Sequence, residues 1–194
     1  MTVYLVHGFN STKHAVWMAE MGEIIQDSGH PIVRANYGDT SLLTVPFRTL
    51  WAASDLAASA RQGDVAVGHS NGCTAIQRSL DQGAGFEHLI FINPALPVDA
   101  EFMPWVKRVD VFHAPNELAT LVGGWWAALN PLAGNWGKMG RVGYQGSDSR
   151  VTNYSLGPVG HSAALDFAHR GRTAEAIVAL VEGEDVTRNP LFRS

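Results

Sequence analysis

Short apolar runs of strand character alternate with longer helical patterns along almost the whole chain, and this alternation restricts the fold more than any other feature. Thr2–Val6, Pro31–Tyr37, Asp64–Gly68, His88–Ile92, Arg108–His113 and Val151–Leu156 read as strands. Between them, Ala15–Asp27, Phe47–Arg61, Gly72–Gln82, Glu117–Leu129 and Thr173–Glu182 carry apolar residues at helical spacing, and Asp99–Lys107 reads as a short helix. Strands separated by helices predict a parallel sheet covered on both faces, because parallel neighbours need a crossover and the crossover helix packs back on the sheet. The expectation is an α/β fold, a doubly wound and mostly parallel sheet of about six strands. At 194 residues and 46% hydrophobic content the chain suits one domain spanning 1–194 with a sizeable core.

Charge and cysteine content remove several function classes. The formal charge is −4, and no cluster of Lys and Arg forms the basic face expected of a nucleic-acid binder. Cys73 is the single cysteine, which excludes an intrachain disulfide and argues against a cysteine metal site. The first residues lack a basic leader, and no apolar stretch reaches membrane-span length. These features predict a cytoplasmic protein with no membrane span and no nucleic-acid partner.

Gly68-His69-Ser70-Asn71-Gly72 follows the third strand and opens a helix. By composition alone such a pentapeptide arises in roughly one chain in ten, so its weight comes from the strand-turn-helix setting. There, small residues two before and two after the serine let the backbone turn sharply. The Ser70 hydroxyl rises above the sheet, and the Asn71 N–H sits at a helix N-terminus. Gly160-His161-Ser162 has similar composition but no strand running into it, because Gly157-Pro158 intervenes. Cys73, inside the elbow helix, reads as a small packing residue.

His7-Gly8-Phe9 closes the first strand. With this loop, the Ser70 elbow and a histidine near the C-terminus, the chain resembles the α/β-hydrolase superfamily, in the form of a small serine hydrolase without a large cap domain. The resemblance spans nearly the whole chain. It implies a nucleophile at Ser70 and oxyanion-hole N–H donors at Phe9 and Asn71. It also implies the chain order serine, acid, histidine. His161, in a glycine-rich loop after strand six, is then the base. Glu117 is the first carboxylate after strand five, and Asp99 after strand four is the alternative acid. If Asn116 is the positional match instead, the triad is degraded or the acid comes from elsewhere. His7 reads as a brace for its loop.

The activity so implied is cleavage of a carboxylic ester, or a related thioester or amide, through an acyl-enzyme on Ser70. The substrate is a small acyl compound, and neither metal nor organic cofactor is needed. No zinc, P-loop or dinucleotide motif suggests otherwise. The rival reading is a hydrolase-like binding or regulatory protein that has lost turnover. Residues 123–149 hold more chain than a direct connection requires and are rich in glycine. They are expected to form a lid or pocket wall, with Trp136 and Met139 facing the acyl group.

Overall fold

The computed structural model describes residues 1–8, 15–35, 38, 44–116, 137–157, 163–166, 169–184 and 186. The elements in chain order are β1 (Val3–Val6), α1 (Val16–Asp27), β2 (Ile32–Ala35), α2 (Val45–Ser59), β3 (Asp64–His69), α3 (Asn71–Asp81), β4 (Phe86–Ile92), β5 (Arg108–His113), α4 (Met139–Val142), β6 (Val151–Ser155), a 3-10 turn at Ala163–Leu165, and α5 (Arg170–Val181). The helix expected over Glu117–Leu129 lies outside the described residues.

The strands form a six-stranded sheet in the order β2-β1-β3-β4-β5-β6. Every neighbouring pair is parallel. The inner strands are apolar on both sides, as a doubly covered sheet requires. Tyr4, Val6, Ala66, Leu89, Phe91, Val109 and Val111 enter one core cluster, with Ala52, Leu56, Ile76 and Leu80 of α2 and α3. The alternate residues Val3, Leu5, Val65, Val67, Ile90, Ile92 and Phe112 enter the other, with Met18, Met21, Ile25, Ile177 and Leu180 of α1 and α5. Strand order reverses between β1 and β3, and the carboxyl ends of strands at such a reversal are where open α/β sheets bind ligands. Among the described residues, no helix is long and apolar enough to cross a membrane.

The expected helix over Asp99–Lys107 does not form; the segment is a series of turns before β5. A guanidinium takes the place of a helical ladder. Arg150 Nη1 donates to the Met103 carbonyl at 2.8 Å and the Val106 carbonyl at 2.5 Å, and Nη2 donates to the Phe102 carbonyl at 3.0 Å. Arg150 Nε and Nη2 also bind the Asp148 carboxylate at 2.9 and 2.6 Å. These bonds hold the Asp148 carboxyl below its ordinary range and raise the Arg150 guanidinium. One side chain beside β6 thus ties down the β4–β5 connection. Conversely, α4 forms inside a stretch that shows no helical period in the sequence. It is tied to the loop after β4 by Met139 N–H to Leu96 O at 3.1 Å and Gly140 N–H to Pro94 O at 2.9 Å.

Arg150→Met should lower unfolding stability by about 2 to 4 kcal/mol, since several charge-assisted bonds vanish and carbonyls lose their donors. Urea denaturation reads this directly. Asp148→Asn should cost less, because the carbonyl contacts of Arg150 survive.

Candidate active site

The turn between β3 and α3 holds Ser70 at φ 54°, ψ −121°, as the N-cap residue of α3. A non-glycine residue with positive φ carries backbone strain of about 1–3 kcal/mol, which the surroundings must hold in place. The Ser70 N–H donates to Ile92 O at 3.0 Å, and the Ser70 carbonyl accepts from Cys73 N–H at 3.1 Å and Ala95 N–H at 3.3 Å. The end of β4 therefore grips the elbow from one side.

The two glycines of the motif are dictated by close backbone approach. A Cβ on Gly72 would lie 2.3 Å from Val6 O and 2.6 Å from His7 O. A Cβ on Gly68 would lie 2.7 Å from Ile76 Cδ1 and 3.0 Å from Cys73 N. The loop after β1 is equally close. A Cβ on Gly8 would come within 2.9 Å of Ser70 Cβ and 3.0 Å of His69 O. Bare backbone at Gly8 is what lets the β1 loop reach the serine. His7 is fully buried, and its Nδ1 lies 2.9 Å from Gly8 O, in keeping with a bracing role.

Asn71 is the first residue of α3, so its N–H falls outside the intrahelical ladder. Its side chain is buried and donates from Nδ2 to Thr49 Oγ1 at 2.9 Å. Thr49 in turn donates to Val45 O at 2.7 Å. Sequence reasoning found neither Thr49 nor His69, whose ring meets Trp17 edge-on at 5.9 Å. A threonine within an alanine-rich helix and a histidine at an unspecified motif position carry no local signal.

Of the other expected site residues, Phe9, Glu117, Trp136 and His161 lie outside the described residues, as does Ser162. Their neighbours are described. Asn116 follows the end of β5, and Leu156 N–H donates to His113 O at 2.8 Å. Since the sheet is parallel, these segments leave it at the edge that carries Ser70 and Gly8. Met139 is fully buried in the core cluster beside Leu96 and Val111. Asp99 is exposed in a turn.

The remaining candidates are accounted for elsewhere. His88 Nε2 lies 2.5 Å from Asp110 Oδ2, and Arg108 Nε lies 2.8 Å from the same oxygen. That partly buried cluster involves the amino-terminal half of β4, on the far side of the sheet's length from Ser70. His169 pairs with Asp166 at 2.9 Å ahead of α5. Cys73 is fully buried, and burial pushes its thiol well above the ordinary range, which makes it inert as a nucleophile.

His113, at the end of β5, is partly buried, and burial lowers its pKa below the ordinary 6.5. Well above pH 6.5 both folded and unfolded forms are neutral, and stability is complete. As the pH falls below 6.5 the unfolded chain takes up a proton before the folded one, and stability is lost until the lower folded value is passed. The stability difference between the protein and His113→Gln, followed by urea midpoints from pH 7.5 to 5, should therefore shift against the wild type as the pH falls. The glycine packing gives a second expectation. Gly72→Ala should destabilise by about 3 kcal/mol or more, because it meets backbone. Gly68→Ala should cost less, since its nearest neighbour is the end of the Ile76 side chain.

Several solved structures are similar to this architecture. Est1E from Butyrivibrio proteoclasticus, solved with ferulic acid, aligns at TM-score 0.57 and 14% identity over 94% of this chain and 88% of that one. Alpha/beta hydrolase domain-containing protein 10 from mouse aligns at TM-score 0.62 and 14% identity over 94% and 90%. The pyrethroid hydrolase PytH, solved with BIF, aligns at TM-score 0.61 and 12% identity over 94% and 97%. No family model matches the sequence, and no curated protein matches it. The chain has the α/β-hydrolase fold.

Proposed function

We propose that this protein is a serine hydrolase that cleaves a carboxylic ester, or a related acyl bond, through an acyl-enzyme on Ser70. The observation that carries the reading is the strained Ser70 backbone at the head of α3, wedged against Gly8 of the β1 loop. Strain of this kind persists only where the surroundings enforce it, and it clusters at functional sites. The fold lends support, since its neighbours include a pyrethroid hydrolase.

In the proposed reaction, Ser70 Oγ attacks the carbonyl carbon while His161 takes the hydroxyl proton. Glu117 holds the imidazole in the reactive tautomer and stabilises the imidazolium. The N–H groups of Phe9 and Asn71 receive the oxyanion, an interaction of which each donor is worth about 100- to 1,000-fold in rate. Collapse breaks the bond to the leaving alkoxide, which takes the proton from His161. Water, deprotonated by His161, then attacks the acyl carbon, and as the acyl–Oγ bond breaks His161 returns the proton to Ser70 and the carboxylic acid leaves. Trp136 contributes to the pocket wall.

Hydrolysis of p-nitrophenyl esters of increasing chain length tests the reading. Ser70→Ala should abolish turnover with the melting temperature little changed, and Ser162→Ala should remain active. Glu117→Gln should lose on the order of ten-thousand-fold in kcat, as removal of the orienting carboxylate does in a serine triad. Asp99→Asn should lose far less. A wild-type rate in Glu117→Gln moves the acid to Asp99 or leaves a serine–histidine dyad. Absence of turnover across the series favours the binding-protein reading.

A further inference from the structure

We infer that Thr49 is a positioning residue for the oxyanion donor, acting through the side chain of Asn71. The inference rests on the hydrolase reading above and extends it to a residue outside the elbow.

The geometry begins with the peptide group between Ser70 and Asn71. In a trans peptide the N–H points opposite to the C=O. The Ser70 carbonyl is held by two N–H donors, Cys73 at 3.1 Å and Ala95 at 3.3 Å. That fixes one end of the peptide plane. The other end is the Asn71 Cα, whose side chain is bonded to Thr49 at 2.9 Å. Together these contacts set the direction of the Asn71 N–H, the group that would receive the oxyanion.

Hydroxyl chemistry makes Thr49 specific. A threonine hydroxyl has one proton to give. Thr49 Oγ1 donates it to Val45 O at 2.7 Å, one turn back in α2. Toward Asn71 it can only accept, so the amide must present its Nδ2. Asn71 Oδ1 has no hydrogen-bond partner among the described residues, which leaves the Thr49 bond as the tether of this amide. Thr49 and Asn71 are 2% and 1% exposed, so water cannot substitute for either partner. The second turn of α2 is thereby clamped to the first residue of α3. Removing the clamp lets the elbow relax from its strained angles and turns the N–H away from its target. A displacement of about 1 Å can cost a hundredfold in rate.

The test is steady-state kinetics on a p-nitrophenyl ester with Thr49→Val, Thr49→Ser, Asn71→Ala and the double variant Thr49→Val/Asn71→Ala. Thr49→Val should lower kcat about 10- to 100-fold with KM changed less than about twofold, the pattern of an interaction made only in the transition state. Thr49→Ser should restore the wild-type rate. Asn71→Ala keeps its backbone N–H but loses the tether, so it should match Thr49→Val. The double variant should be no worse than either single one. A wild-type kcat in Thr49→Val, a loss confined to KM, failure of serine to rescue, or multiplying losses in the double variant would overturn the inference. If Thr49→Val does not fold, Asn71→Ala decides alone, and an unchanged kcat there overturns it. A wild-type protein that does not turn over ester overturns the hydrolase reading itself, and the inference with it.

Discussion

The backbone at Ser70 is the constraint on which the rest of the site depends. A serine at φ 54° is held there by contacts from several elements at once: Ile92 at the end of β4 and Ala95 after it, Gly72 under the carbonyls of Val6 and His7, and Thr49 from α2 through Asn71. None of these could move alone without a clash or a lost hydrogen bond. The strain of about 1–3 kcal/mol is small beside the packing that enforces it. The same compression explains why glycine occupies positions 8, 68 and 72, where a methyl group would meet backbone or core atoms at 3.0 Å or less.

Sheet topology then decides what can meet at that turn. The reversal of strand order between β1 and β3 brings Gly8, after β1, against Ser70, after β3, at the carboxyl edge. The loops after β5 and β6 leave the same edge, which is where an acid and a base must come from if they are to serve Ser70. Toward the opposite end, the His88–Asp110–Arg108 cluster ties β4 to β5 and keeps charged groups satisfied in a buried strand. The Arg150 guanidinium does similar work for the irregular β4–β5 connection. The edge that carries Ser70 therefore belongs to a sheet whose far end and β4–β5 connection are pinned by separate polar networks.

Much of this was legible in the sequence. Strands buried on both faces read as apolar runs, so β1, β3 and β4 emerge near their observed bounds, while the edge strand β6 emerges from β-branched and aromatic residues although much of it is exposed. The elbow was legible because its signature is local, two glycines and a serine between a strand and a helix, even though the steric demand on Gly72 comes from Val6 and His7. What escaped was long-range. Asp99–Lys107 has helical spacing, yet a guanidinium some fifty residues downstream takes its carbonyls. Met139 looks like a pocket residue in a glycine-rich loop, but α4 turns it into the core. Thr49 carries no signal at all, because its role exists only once α2 packs beside α3.

The central claim is that Ser70 is an activated nucleophile. Reaction with a fluorophosphonate, followed by intact-mass and peptide mass spectrometry, tests it most directly. Attack by Ser70 Oγ on phosphorus expels fluoride and leaves one covalent adduct, which should map to the peptide containing Ser70 and be absent from Ser70→Ala. An adduct on Ser162, or a folded wild-type protein that remains unlabelled, would contradict the claim.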